Sequence, residues 1–317
     1  MADMAGRVCP LDYRTDPATL NRAPDIVSDT LYVVGGLYGN PQALDMIEAM
    51  ASAEPQPVTI IFNGDAHWFD ADAPTFRDLD RRLAAYPAIR GNVETELARD
   101  TDSGAGCGCA YPPDVDEGVV QRSNAILSRM RGIVGAGERA RLAALPVTQV
   151  AGVGSARIGI VHGDPTSIAG WGFSRENLDK PCAAPWLDEI RRVSRIDVFA
   201  STHTCGAVMR EFYLPSGRMI VANNGAAGMA IFAGETTGLL TRVSVHPSPH
   251  APSYGLCLDR VYVEAIPVPF DAAAFLALFD AIWMPGSPAQ VSYRKRIAGH
   301  VSSHMRDAQP RRLVQAG

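Results

Sequence analysis

Short apolar runs, each closed by a small or polar turn residue, recur along the chain from residue 31 to about residue 225. Five of them, LYVVGG (31–36), PVTIIFNGD (57–65), ARIGIVHGD (156–164), RIDVFASTHT (195–204) and GRMIVANNG (217–225), are rich in β-branched residues and too short for helices. Each predicts a buried strand of about five residues. Helical spacing of apolar residues separates them, over Pro41 to Ala53, Ala73 to Ala85 and Pro185 to Ser194. The alternation predicts an α/β domain. Two later runs, GLLTRVSVHPS (238–248) and DRVYVEAIPVPF (259–270), predict strands of an antiparallel or mixed portion. Because the early strands are apolar throughout, both of their faces must be covered. The arrangement expected is a four-layer sandwich, two facing mixed β-sheets flanked by helices.

Around this domain, spanning 31–268, residues 1–30 are expected to form an N-terminal extension over the surface, and 269–317 a C-terminal helical extension. DAAAFLALFDAIW (271–283) opens on a capping Asp and carries a broad apolar face. It predicts a helix that packs on the core or makes a homo-oligomer contact. Between the helical stretches, RDTDSGAGCGCAYPPDVDEG (99–118) is a long insertion rich in glycine, proline and acid, of the kind that is either functional or disordered.

Composition narrows the function. The chain of 317 residues is 47% hydrophobic, enough for a full core, and its formal charge of -5 argues against a nucleic-acid partner, which needs a basic face. Lys180 and Lys295 are the two lysines, so 27 of the 29 basic residues are arginines. This bias points to a GC-rich bacterial genome, and arginine count therefore says little about phosphate binding. The start of the chain has no signal-like apolar core, and no stretch has the roughly 20 apolar residues of a membrane span, so a cytosolic protein with reduced thiols is expected.

Chemistry gathers beyond the carboxyl ends of strands in such folds, and this chain places its polar residues there. Asp65 follows IIFNG, Asn92 sits in IRGNVE, His162 follows GIV and His203 follows DVFAST. A carboxylate, an amide oxygen and two imidazoles suit Zn²⁺, Mn²⁺ or Fe²⁺ better than Ca²⁺.

The order and context of these residues resemble the calcineurin-like metallophosphoesterases. That family has five blocks: D-x-H-G-N after the first strand, G-D, G-N-H-D/E, a lone histidine after a strand, and G-H-x-H. The matching segments here are GGLYGN, NGD, RGNVE, VHGD and THTC, with NNGAAG at 223–228 fitting the turn that often follows. The resemblance implies two metals bridged by Asp65, the second also held by Asn92, His162 and His203. Both first-block ligands are replaced, by Gly36 and Tyr38, and Cys205 stands where the last histidine for the first metal would be. The resemblance thus implies one complete site, with a single divalent transition metal per chain, and one ruined site to which Cys205 could still contribute.

Val93 also stands where the family has a catalytic histidine, so a proton donor must come from elsewhere. His67 and Tyr38 are the nearest candidates, beside Asn92 at the metal. Glu94 reads as a local cap or pairing residue. The GCGC run either is a flexible loop with incidental thiols or brings Cys107 and Cys109 over the vacated site to join Cys205. Trp68 and Phe69 either wall a pocket or pack. Three functions are compatible with these residues. One is a phosphoesterase acting on a small phosphorylated metabolite, one a different reaction on the same metal scaffold using cysteine ligands, and one a binding protein that has lost catalysis.

Overall fold

The computed structural model describes residues 5–314. Twelve strands form two mixed sheets. In chain order they are β1 (Ile26–Val27), β2 (Thr30–Val34), β3 (Thr59–Phe62), β4 (Gln149–Val153), β5 (Ala156–Ile160), β6 (Val198–Ser201), β7 (Val208–Leu214), β8 (Gly217–Asn223), β9 (Gly238–Ser244), β10 (Tyr254–Leu258), β11 (Val261–Val268) and β12 (Arg311–Val314). One sheet has the order β1-β4-β5-β6-β8-β7-β12 and the other β10-β11-β9-β2-β3. The helices are α1 (Pro41–Ser52), α2 (Ala73–Leu83), α3 (Asn92–Ala98), α4 (Glu117–Arg131), α5 (Ala136–Ala144), α6 (Arg175–Leu178), α7 (Ala183–Ser194), α8 (Ala272–Ile282), α9 (Pro288–Ile297) and α10 (Met305–Ala308). None is long and apolar enough to cross a membrane.

Period-two alternation builds the layers. On β6, Val198 and Ala200 join the core that also takes in Leu31, Val243 and Val263 of the other sheet, while Phe199 between them faces Leu187 and Ile190 of α7. β8 divides in the same way, with Ile220 and Ala222 toward the second sheet and Met219 and Val221 toward α7. The sheets therefore face each other with helices outside, as the uniformly apolar strands require.

The flanking segments depart from a surface wrap and a purely helical tail. Tyr13 and Leu20 are buried, and β1 pairs in parallel with β4, Ile26 opposite Ala151, so the described part of residues 1–30 is built into the sheet. At the other end, β12 adds to the opposite edge by parallel pairing with β7. Both strands are too short to carry a readable alternation. Phe275, Phe279 and Trp283 of the expected 271–283 helix are buried, with Phe69 among their neighbours, so its apolar face packs on the core.

A buried ion network ties the smaller sheet to α1. Arg242 on β9 has no exposure; its Nε and Nη2 donate to the two carboxylate oxygens of Glu54 at 2.6 and 3.0 Å, and its Nη1 to Glu264 at 2.8 Å. The hydroxyl of Tyr32 donates to Glu54 at 2.7 Å. Removing the guanidinium leaves two buried carboxylates facing each other. Arg242→Leu is therefore expected to lower unfolding free energy by about 3–5 kcal/mol in urea titration. An unchanged midpoint would show that the network contributes nothing to stability.

Candidate metal centre

Three turns beyond strand ends and one helix start bring the polar residues together. Asp65 follows β3 with φ 54°, Asn92 opens α3, His162 follows β5 and His203 follows β6. The carboxylate of Glu94 laces the first two. It accepts from the backbone N–H of Asp65 at 2.9 Å, of Ala66 at 2.8 Å and of Gly91 at 2.8 Å. Val93 N–H in turn donates to Asp65 Oδ1 at 3.2 Å. Glu94 is thus more than a helix cap, since it fixes the turn that carries Asp65 to the helix that carries Asn92.

Each remaining donor atom is aimed by what its other end binds. His162 Nδ1 lies 2.9 Å from the carbonyl of Asn63, and His203 Nε2 lies 3.1 Å from the carbonyl of Cys109. A carbonyl can only accept, so both of these nitrogens carry hydrogens. In the neutral imidazoles, His162 Nε2 and His203 Nδ1 are then bare. They face each other at 3.2 Å. The amide of Asn92 is oriented likewise, its Nδ2 donating to the carbonyl of Cys107 at 3.0 Å, which turns Oδ1 to within 3.1 Å of His162 Nε2 and 3.0 Å of His203 Nδ1. Asp65 Oδ1 completes the set, 3.3 Å from His162 Nε2.

Four ligand atoms converge, and the set favours a positive charge at its centre. Burial opposes charge on His162, but Asp65 beside it outweighs burial and raises its pKa, so without a metal ion His162 Nε2 carries the proton that joins the set. Burial followed by the charge of His162 pushes His203 down to about 3, so it stays neutral in ordinary buffers. Burial works against charge on Asp65, but His162 outweighs it and holds the carboxyl below the usual range. Burial, then the Asp65 charge, raises Glu94. Packing is as tight as the chemistry demands. A Cβ on Gly91 would come within 2.4 Å of Asp65 Oδ1 and 2.7 Å of His162 Cε1.

The insertion at 99–118 is ordered against this cluster, and its contribution comes from backbone. Carbonyls of Cys107 and Cys109 hold Asn92 and His203, and the Cys109 carbonyl also accepts from Trp171 Nε1 at 3.1 Å. The thiols form no sulfur-rich site. Among the described residues, the one grouping of three potential histidine, cysteine or acidic ligands is Asp65, His162 and His203. Cys205 lies outside it, with Sγ 2.9 Å from the Tyr38 hydroxyl. Burial raises both the thiol and the phenol.

The loop GGLYGN is filled by its own tyrosine. A Cβ built on Gly36, which has φ 62°, would meet Tyr38 Cε2 at 2.6 Å, so the phenol ring occupies the space a side chain there would need. His67 is turned away from the cluster. Its Nδ1 lies 2.6 Å from Asp70, its Nε2 3.3 Å from Asp80, and its ring stacks on Phe76 at 4.0 Å. A role for it as proton donor is excluded by this orientation. Trp68 lines the cavity beside the cluster, whereas Phe69 packs against Phe279 and Tyr293 at 5.3 and 5.0 Å. The cavity measures about 190 Å³, and Tyr38, Asp65, Asn92 and His203 are among its walls.

Sequence reasoning missed the orienting carbonyls of Asn63, Cys107 and Cys109, because every residue type offers a carbonyl. It also missed Tyr293 and Arg296 of α9, which reach the cavity from far along the chain.

No family model matches the sequence, and no curated protein matches it either. Solved structures do match in fold. A metallophosphoesterase from Sphaerobacter thermophilus superposes with a TM-score of 0.54 at 16% identity, covering 86% of this chain and 100% of that one. A hypothetical protein from Pyrococcus horikoshii OT3 gives 0.56 at 18% identity, covering 84% and 98%. The fold is that of the calcineurin-like phosphoesterases.

Three substitutions separate the intact cluster from the filled one. His162→Ala or His203→Ala should abolish retention of Mn²⁺ or Zn²⁺ through dialysis, while Cys205→Ala should retain it, as read by elemental analysis. Loss of metal in Cys205→Ala with retention in His162→Ala would reverse the assignment.

Proposed function

We propose that this chain, which has the calcineurin-like metallophosphoesterase fold, is a hydrolase that cleaves a small phosphate ester using one divalent transition metal. The observation that carries the reading is the convergence of His162 Nε2, His203 Nδ1, Asn92 Oδ1 and Asp65 Oδ1, each within 3.0 to 3.3 Å of a neighbour in the set. Mixed nitrogen and oxygen donors suit Mn, Fe or Zn. When bound, such an ion supplies the positive charge that draws in a phosphoryl group and activates water.

The chain's own residues do the remaining work. Asn63, Cys107 and Cys109 hold the ligand side chains by their carbonyls, so the donors are preorganised before any ion arrives. Glu94 holds Asp65 by its backbone rather than by its side chain, leaving the Asp65 carboxylate to the site. Tyr38, Trp68, Tyr111 and Trp171 line the cavity beside the donors and give it apolar walls. The alternative of a cysteine-dependent reaction draws no support from the thiols, none of which joins the ligand grouping of Asp65, His162 and His203. A binding protein without catalysis would keep the same cluster, and only an assay separates it.

The assay is direct. Protein purified without chelator should carry about one metal ion per chain and hydrolyse p-nitrophenyl phosphate, lose activity with EDTA, and regain it with Mn²⁺ or Zn²⁺. Metal-loaded protein inert toward a broad panel of phosphate esters would establish the binding role. Failure to hold any metal would remove the metal-dependent reading altogether.

A further inference from the structure

The cavity beside the donor cluster has two chemistries on its walls. Trp68, Tyr111, Trp171 and Tyr293 make it aromatic, and Trp171 packs edge-on against His203 at 5.5 Å. Arg296 is the one guanidinium on its lining, as Asp65 is the one carboxylate. Two backbone carbonyls fix this arginine, Nε donating to Ala230 at 3.1 Å and Nη2 to Cys205 at 2.7 Å. Among the described residues, no acidic side chain pairs with it and its Nη1 makes no hydrogen bond. A half-buried, pre-positioned guanidinium with a free edge is a ready partner for an anion.

Volume and proton supply restrict that anion further. At about 190 Å³ the cavity is below the range of roughly 300–1,000 Å³ typical of drug-sized ligands, so it suits a small molecule. The lining holds no histidine with an uncommitted ring nitrogen, because both His203 nitrogens are engaged and His67 faces Asp70 and Asp80. Such a lining favours a leaving group that is stable as an anion.

We propose that the site is built for phosphate monoesters of small aromatic alcohols, the phosphoryl group held between the donor cluster and the Nη1 edge of Arg296 and the ring lodged among Trp68, Tyr111, Trp171 and Tyr293. The proposal rests on the phosphoesterase reading above. In the reaction, the oxygen of water forms the new P–O bond and the ester P–O bond breaks. The electron pair leaves on the aryloxide, the proton lost by the water passes to solvent, and the aryloxide takes up a proton there after release. Arg296 and Tyr293 lie one helical turn apart on α9, so the segment after residue 268 supplies specificity to a cluster built by the strands before it.

Calorimetric titration of phenylphosphonate and methylphosphonate, which share an anionic head and resist hydrolysis, tests both halves. The titrations use wild type and Arg296→Gln loaded with Mn²⁺, with metal content measured in each. Phenylphosphonate should bind wild type at least about tenfold more tightly than methylphosphonate. Arg296→Gln should weaken both by about tenfold or more at unchanged metal content, with partial recovery in Arg296→Lys. In parallel, kcat/KM should climb with leaving-group acidity across substituted phenyl phosphates and fall steeply for alkyl phosphates. Equal binding of the two phosphonates, full affinity in Arg296→Gln, or alkyl phosphates cleaved as fast as aryl ones would each overturn the proposal while leaving a phosphoesterase in place. Absence of metal from the wild type would overturn both.

Discussion

Two imidazole nitrogens can face each other at 3.2 Å only with a proton or another cation between them, and here their outer nitrogens are already committed to carbonyls. The amide oxygen of Asn92 and the carboxylate of Asp65 add two more acceptors, so the set holds positive charge at its centre, a proton on His162 or a metal ion in its place. Much of the surrounding structure exists to impose this arrangement. Glu94 binds three backbone N–H groups to hold the Asp65 turn, and Gly91 leaves the room in which Asp65 and His162 meet. Folding two facing sheets around one apolar interior supplies the stability that holds these groups in place, and a metal ion would take the position of the proton in a set already oriented.

The neighbouring GGLYGN loop is a complementary case. Tyr38 fills the space above Gly36, and its hydroxyl meets the Cys205 thiol, so three positions that could have held charged ligands form a neutral, packed patch. Arg296 anchors to the carbonyl of that same Cys205. Positive charge on this side of the cavity thus comes from a fixed side chain, while on the other side the donor cluster draws a proton or a metal ion. A guanidinium needs no loading and cannot be removed by chelators, which makes the two halves of the cavity experimentally separable.

Much of the fold was legible because its signal is periodic. Apolar runs such as TIIF and VFAS are buried on both faces, and their ends carry Asp65 and His203 as strand-end reasoning requires. The strand-end placement of His162 was legible for the same reason, whereas Asn92 follows no strand and was singled out through the resemblance of its RGNVE segment. His67 misled because sequence proximity to Asp65 says nothing about direction, and the turn after Asp65 sends its ring into the Asp70 and Asp80 pocket. Cys205 misled because correspondence of position does not bring a side chain into the ligand grouping, and its Sγ meets the Tyr38 hydroxyl instead. The carbonyls of the GCGC loop left no trace in side-chain chemistry. Arg296 left none either, since it lies over 90 residues beyond His203 and only tertiary packing brings α9 to the cavity.

The central claim is that the cation belongs at the histidine cluster and not at the tyrosine–cysteine patch. Crystals grown with Mn²⁺ and measured for anomalous scattering locate it directly. The account predicts one strong peak about 2.0–2.3 Å from His162 Nε2, His203 Nδ1, Asn92 Oδ1 and the Asp65 carboxylate. A peak between Tyr38 and Cys205, or no peak at saturating metal, would contradict it.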